Sequence, residues 1–320
     1  MRGPTHQTRA ATDCGPPFAD LETAPSLRGP TSWYVLERRS SAHRTMPYMW
    51  PHAFEPCHDL SAAEWIGPRL LAWGTEDGTP VTGIVPVGFE AYVRVFHPAG
   101  APAPSETVTW QEIAHWSGRR FHPLAQFERM SLPARPLWGP SPFDQAPFRG
   151  TLIPAACDVL VQQLAGLTTT PSVCYFALWE GWGVLSGGWS MLKAVHHSDD
   201  EPDAIEAEIV EFQRQVALLP RFEHPHRSYL LGRGRIGVAC DLYRQPLGPY
   251  SWPRLGLTPQ LWWPADRAWV VATDIDFDST IVATTNAGAE ALLNGEGLEA
   301  LPVPSDGRLD LDGDLVNLPQ

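Results

Sequence analysis

The chain has 320 residues, 43% of them hydrophobic, and a formal net charge of −13 from 23 basic and 36 acidic residues. These proportions allow a substantial core in one large or two modest domains. They argue against a nucleic-acid partner, because binding to phosphates depends on Lys and Arg releasing counterions, and the longest basic runs are dipeptides. No segment has the roughly 18 consecutive apolar residues of a membrane helix. Residues 1–30 also lack the apolar region of a secretory signal, so we expect a cytoplasmic protein.

Residues 1–45 differ in composition from the rest of the chain. They contain many Pro, Gly, Thr and Arg residues and have almost no apolar periodicity, so they cannot bury enough surface to offset the entropy of ordering. This composition predicts a disordered tail or an over-extended gene start, with Met46 or Met49 as the true initiator. Residues 46–320 are expected to be globular. A Pro-rich stretch near residues 140–150 resembles a linker between two subdomains, although one continuous fold fits the sequence equally well.

The predicted elements follow one another in chain order without strict βαβ alternation. Apolar periodicity predicts helices over 151–165, 202–219 and 286–297, while β-branched and aromatic residues predict strands. The predicted strands are "AYVRVFHP" (91–98), "SVCYFALW" (172–179), "RSYLLGR" (227–233), "RIGVACDLYR" (235–244), "RAWVVATDI" (267–275), "TIVATT" (280–285) and "LEALPV" (298–303). Strands outnumber helices, which favours an α+β fold with a mixed or largely antiparallel sheet and a few packed helices.

The five cysteines give no indication of a disulfide framework. Their number is odd, their spacing is wide and no CxxC pair occurs, so a zinc knuckle is not indicated either. Cys174 and Cys240 lie within apolar, strand-like runs, which is typical of buried structural thiols. The cysteines are Cys14, Cys57, Cys157, Cys174 and Cys240.

The segment "DFDST" resembles the aspartate-x-aspartate-x-threonine motif of haloacid-dehalogenase phosphatases. That resemblance implies Asp276 as nucleophile, Asp278 as acid/base and Thr280 as a phosphate contact, together with magnesium. In that family the remaining catalytic groups, including a lysine, lie downstream. No lysine follows Thr280, and the only lysine of the chain is Lys193. We therefore reject the phosphatase interpretation.

Three alternating aspartates, Asp274, Asp276 and Asp278, suggest a divalent-cation site as a second possibility. An EF-hand is excluded, since Ser279 and Thr285 occupy the positions that need Gly and Glu. If the strand continued through the three carboxylates, they would share one face and repel each other unless neutralised. The favoured alternative is a polar turn joining two strands, in which Asp and Ser side chains bond to nearby backbone.

His224 and His226 lie at i and i+2, a spacing that lets both imidazoles face the same way in an extended chain. Such a pair can chelate a transition metal. Combined with the aspartate cluster, it gives one functional hypothesis, a divalent-metal-dependent hydrolase. No other cofactor is indicated.

The 14 tryptophans offer the other hypothesis. Core packing is the default interpretation for any one of them, but Trp and Tyr also dominate binding hot spots. Trp179 and Trp182 in "LWEGWG", together with Trp262 and Trp263 in "LWWPADRAW", are predicted to wall a pocket or a partner-binding surface. Asp266 and Arg267 are further candidates for binding a ligand or partner, and they are expected to form an ion pair that orients the turn before the strand.

The stretches "WWPADRAWVVATDIDFDSTIV", "CYFALWEGWG" and "RSYLLGRG" resemble a family of uncharacterised proteins from high-GC bacteria, over about residues 150–300. The resemblance implies no reaction and no catalytic residues. Because no complete catalytic set occurs, the sequence favours a non-catalytic binding or immunity-like protein. Its acidic, Trp-rich surface would bind a protein or a small ligand, and it would not bind nucleic acid or a membrane.

Overall fold

The computed structural model describes residues 50, 53–72, 78–103, 106–134, 139–182, 185, 202–224, 227–245 and 257–319, with the backbone alone for 202–209. All of these belong to one compact unit, Ser32–Gln320. The described helices are α1 Val81–Ile84, α2 Trp110–Ser117, α3 Phe127–Met130, α4 Pro154–Ala165, α5 Pro202–Ala217, α6 Val238–Arg244 and α7 Asn286–Asn294. The described strands are β1 Glu55–Pro56, β2 Ala91–Phe96, β3 Ala99–Gly100, β4 Thr107–Val108, β5 Cys174–Trp179, β6 Phe222–His224, β7 Arg227–Gly234, β8 Leu261–Pro264, β9 Val270–Ala272, β10 Ser279–Thr284 and β11 Ala300–Pro302.

Nine of these strands form one sheet in the order β1-β7-β5-β8-β9-β10-β2-β11, and β6 pairs with β7 as well. Every pairing in the sheet is antiparallel. The prediction of an α+β fold with a largely antiparallel sheet is therefore confirmed. Strands from both sides of residues 140–150 belong to this sheet, since β2 lies between β10 and β11.

The two faces of the sheet carry separate hydrophobic clusters. Helices α4, α5, α6 and α7 cover one face and pack on residues such as Phe176, Trp262 and Val282. Residues 63–66 and 81–85, including α1, cover the opposite face and pack on Trp263, Val270 and Ile281. Neighbouring strand residues such as Trp262 and Trp263 thus point to opposite faces, as the pleat of a strand requires. A third cluster joins α2 and α3 to Phe96 at the end of β2.

Strands β9 and β10 form a hairpin around the aspartates. Ile281 pairs with Ala272 and Ala283 with Val270, and β2 lines the other side of β10. The prediction of a polar turn between two strands is confirmed. Asp274 and Asp276 lie in that turn, and Asp278 directly precedes β10.

One predicted strand is wrong. Residues 238–244 form helix α6, which buries Val238, Ala239, Cys240 and Leu242. A short apolar run does not distinguish a buried strand from a buried helix by periodicity alone, which explains the error. Residues 1–45, predicted to be disordered, lie outside the described residues. No helix of the described chain is long and apolar enough to cross a membrane.

Candidate functional site

Arg227, the first residue of β7, connects two groups of residues that the sequence analysis treated separately. Its guanidinium donates to both carboxylate oxygens of Asp274, at 2.8 and 2.9 Å, and to Asp276 at 2.6 Å. The side chains of Arg227 and Asp274 are 9% and 6% exposed, whereas that of Asp276 is 60% exposed. The pair of parallel hydrogen bonds to Asp274 fixes the plane of the guanidinium.

Hydrogen bonds within the β9–β10 turn hold Asp274 and Asp276 in place. The Asp274 side chain accepts a hydrogen bond from the backbone N–H of Asp276 at 3.1 Å, and its carbonyl accepts from Phe277 N–H at 3.1 Å. This is the Asx-type turn that aspartate favours. Gly150 contacts the turn, because its backbone N–H donates a hydrogen bond to the Phe277 carbonyl at 3.0 Å. A Cβ atom at Gly150 would lie 2.7 Å from the Ile275 Cα, so only glycine fits there.

Two of the predicted tryptophans lie beside Arg227. The Cζ atom of Arg227 is 5.3 Å from the centroid of the Trp179 ring, within the range of a cation–π interaction. Trp182 packs edge-on against Trp179, with centroids 6.1 Å apart. Both are half-buried, and the buried indole N–H of Trp182 has no acceptor among the described residues. The Trp179 ring lies close to the backbone of Gly181, and a Cβ atom at that position would be only 2.1 Å from the ring.

Two further acidic residues, Glu180 and Glu223, lie at the same end of the sheet as this aromatic pair. Glu180 accepts from Arg221 at 2.9 Å, and Glu223 accepts from the Ser228 hydroxyl at 2.7 Å. We call this set the Arg227 surface. It consists of Trp179, Glu180, Trp182, Glu223, Arg227 and Asp276. The sequence analysis missed Glu180, Glu223 and Arg227, because their pairing depends on β6, β7 and the β9–β10 turn meeting at one end of the sheet.

Asp278 does not belong to the Arg227 surface. Its carboxylate lies 3.7 Å from the guanidinium of Arg94, which is completely buried. Arg94 also donates to the Ser279 hydroxyl at 2.8 Å and to the carbonyls of Pro123 and Ala125 at 3.0 and 2.9 Å. Burial lowers the pKa of Arg94 to about 10 and raises the pKa of Asp278, while their mutual attraction opposes both shifts.

A buried polar chain continues from this ion pair along β10. The His97 ring lies 2.7 Å from the Phe148 carbonyl and 2.9 Å from the Thr280 hydroxyl, which in turn lies 2.8 Å from Thr273. Since a carbonyl can only accept, Nδ1 of His97 carries the hydrogen and Nε2 accepts from Thr280. Burial lowers the pKa of His97 to about 4. Thr280, the phosphate contact implied by the phosphatase resemblance, is 0% exposed and bonds to protein groups.

The three aspartates predicted as a cation site therefore do not converge. Asp274 and Asp276 bind Arg227, and Asp278 faces Arg94. Within the described ranges, no group of three or more His, Cys, Asp or Glu side chains is arranged to hold a metal ion. His224 is buried in β6 with its ring centroid 6.0 Å from that of Tyr229, and His226 lies outside the described residues. This geometry gives no support to the metal-dependent hydrolase hypothesis.

The other two predicted tryptophans are core residues. Trp262 and Trp263 are 2% and 1% exposed, so neither contributes to a partner-binding surface. Trp262 stacks on Phe176 and Trp263 on Tyr175, on opposite faces of the sheet. This corrects the prediction of a common aromatic wall. The "LWWP" stretch is strand β8 in the middle of the sheet, where large apolar side chains are buried on both faces.

Asp266 and Arg267 also lie away from Trp179. The register pairs Pro264 with Cys174 at the start of β5, and Trp179 ends that strand, a separation of roughly 17 Å at the usual rise per residue. The predicted Asp266–Arg267 ion pair is replaced by other contacts. Asp266 accepts from both Thr168 and Thr169 at 2.8 Å, and Arg267, at φ 57°, places its Cζ 4.9 Å from the centroid of the Trp65 ring.

Comparisons of the chain with known protein families, with curated proteins and with solved structures gave no match.

Proposed function

We propose that this chain is a cytoplasmic, non-catalytic binding protein, of the immunity or antitoxin kind, that recognises a basic protein through the Arg227 surface. The observation that carries the proposal is the juxtaposition of two half-buried tryptophans with carboxylates around one ordered guanidinium. Large aromatic side chains held in place by packing are the residues that contribute most to protein interfaces.

The charge of the surface supports a basic partner. At this end of the sheet four carboxylates, those of Glu180, Glu223, Asp274 and Asp276, outnumber two guanidiniums, those of Arg221 and Arg227. The whole chain is acidic as well, with a net charge of −13. Complementary charge accelerates encounter with a basic protein, and this effect weakens as salt is added.

The aromatic part of the surface supplies a site for apolar contact. Trp179 and Trp182 are both half-buried, so each keeps part of its surface in contact with solvent, where a partner can cover it. A cytoplasmic setting agrees with the described cysteines, Cys57, Cys157, Cys174 and Cys240, which are all free thiols.

The test is affinity capture from a soluble extract of the source organism with the immobilised wild-type chain. Captured proteins are identified by mass spectrometry, and the dissociation constant of each isolated partner is measured for wild type and Trp182→Ala. We expect a basic partner whose affinity falls about 10-fold to 30-fold in Trp182→Ala, as for a hot-spot residue.

A matched pair of charge reversals separates surface recognition from general electrostatics. Glu223→Lys lies on the Arg227 surface, and Glu290→Lys makes the same change of charge at an exposed position on α7. Association should slow more for Glu223→Lys than for Glu290→Lys at low salt, and the difference should shrink at high salt. Failure to capture any partner overturns the proposed function. Equal affinities for wild type, Trp182→Ala and Glu223→Lys overturn the assignment of the surface.

A further inference from the structure

Cys157 on α4 and Cys240 on α6 face each other where these two helices pack. Their sulfur atoms are 2.8 Å apart, although the residues are separated by 83 positions in the sequence. Both residues are buried, at 1% and 3% exposure. A covalent sulfur–sulfur bond is about 2.05 Å long, so the sulfurs need to approach by less than about 1 Å to form one.

A partly exposed ion pair lies next to the thiol pair in the sequence of both helices. The carboxylate of Asp158, the residue after Cys157, pairs with Arg244, the fourth residue after Cys240. The side chains of Asp158 and Arg244 are 50% and 45% exposed. The ion pair therefore links α4 and α6 within one helical turn of the two thiols.

We propose that Cys157 and Cys240 form an oxidisable dithiol, which a peroxide converts into a disulfide that links α4 to α6. In the first step one thiol loses its proton and the thiolate attacks a peroxide oxygen. The O–O bond breaks and the hydroxide that leaves takes up a proton, so a sulfenic acid and water form when hydrogen peroxide is the oxidant. In the second step the other thiol attacks the sulfenic sulfur, the S–O bond breaks, and the disulfide and a second water form. The two sulfurs are oxidised and the peroxide is reduced. A dithiol reductant reverses the change by thiol–disulfide exchange.

The other described cysteines serve as internal comparisons, because neither has a thiol beside it among the described contacts. The nearest polar atoms to the Cys174 sulfur are the carbonyls of Thr170 and Pro171, both at 3.9 Å. The Cys57 sulfur lies 3.9 Å from the Glu55 carbonyl. Neither arrangement offers a second sulfur for bond formation, so proximity singles out the Cys157–Cys240 pair.

The test oxidises the folded wild-type chain with hydrogen peroxide or with diamide, a thiol-specific oxidant. Remaining thiols are then blocked with N-ethylmaleimide in denaturant, and intact and peptide masses are measured. We expect the loss of two blockable thiols out of five, and a cross-linked peptide that contains Cys157 and Cys240. Treatment with a dithiol reductant should restore all the blockable thiols. The oxidised chain should also melt several degrees higher, because the new bond closes a long loop of the unfolded chain.

Two substitutions make the test specific. Cys240→Ala should abolish the cross-link and leave its other thiols blockable, whereas Cys174→Ala should form the cross-link as wild type does. Circular dichroism verifies that each variant is folded, and the wild-type peptide map is decisive even when a variant is not. A folded wild-type chain that keeps all its thiols blockable after oxidation overturns the proposal. So does a map in which Cys157 and Cys240 pair with other cysteines.

Discussion

Arg227 donates two parallel hydrogen bonds to the carboxylate of Asp274, at 2.8 and 2.9 Å, from a position where both side chains are almost completely buried. This ion pair explains how two charged residues, Arg227 at the start of β7 and Asp274 in the β9–β10 turn, can both be buried. Each neutralises the other where water has little access, so the pair fixes the β9–β10 turn against β7.

Removal of Arg227 should therefore be costly. Arg227→Ala leaves Asp274 with a nearly buried, uncompensated charge, and we expect the free energy of unfolding to fall by about 3–5 kcal/mol. Urea denaturation monitored by far-ultraviolet circular dichroism measures the change. Arg233→Ala, in the same strand, is the matched control because its ion pair with Glu55 is exposed, at 59% and 67%. The free energy of unfolding should fall much less in Arg233→Ala than in Arg227→Ala. Equal falls would show that the Arg227–Asp274 pair stabilises the fold no more than an exposed ion pair does.

Gly150 should tolerate no side chain. It has φ 71° and lies against the backbone of Ile275, so Gly150→Ala combines a left-handed conformation with a collision at 2.7 Å. We expect a loss of more than about 1 kcal/mol, the usual cost of the backbone term alone. Gly139→Ala is the control, because Gly139 also has a positive φ, at 114°, but has open space around its Cβ position. A smaller loss for Gly150→Ala than for Gly139→Ala, by thermal unfolding, would contradict the close contact.

His97 should make the fold sensitive to mild acid. The folded chain keeps His97 neutral down to a pKa of about 4, whereas the unfolded chain takes up the proton near 6.5. Between these values the unfolded state binds more protons, so stability is complete above pH 6.5 and falls as the pH drops towards 4. The size of the effect is on the order of 3 kcal/mol for this fully buried group. Urea midpoints at several pH values between 4 and 7 measure it.

Substitution of His97 separates this effect from that of its neighbours. His97→Asn keeps an amide N–H close to the place of Nδ1 but has no titratable ring, so it should be less stable at pH 7 and less sensitive to pH between 4 and 6.5. The raised pKa of Asp278 changes stability with pH in the opposite direction, because the folded state then binds more protons than the unfolded state. Wild type and His97→Asn share this contribution. An unchanged pH dependence in the variant would show that another group is responsible.

The tryptophans should divide into two classes on oxidative footprinting. Hydroxyl-radical labelling followed by mass spectrometry of peptides should modify Trp179 and Trp182, which are half-buried. Trp262, Trp263 and Trp269 should be protected, since none is more than 2% exposed. Labelling in urea provides the reference for intrinsic reactivity. Protection of Trp182 equal to that of Trp263 in the folded chain would remove the aromatic part of the Arg227 surface.

The sequence predicted the longest helices and strands, because long periodic segments carry their own signal. Helix α5 and strands β2 and β7 formed close to where their patterns place them. The site was harder to predict. Two adjacent tryptophans such as Trp262 and Trp263 do not show whether their strand is buried or exposed. Only the strand order of the sheet shows that β8 is central. Likewise, nothing near Arg227 in the sequence reveals that Asp274 will be its partner, since their contact depends on tertiary packing.

Strand β2 has a consequence for how the chain reaches this fold. Residues 91–96 are made early in synthesis, yet both of their strand neighbours, β10 and β11, come from residues 279–302. Until that late segment has left the ribosome, both edges of β2 lack their partners and expose backbone groups able to pair with other chains. The long separation between partners is also typical of slow folding. This protein should therefore complete its sheet only after residues 279–302 have been made, and truncated chains that end before β10 should aggregate.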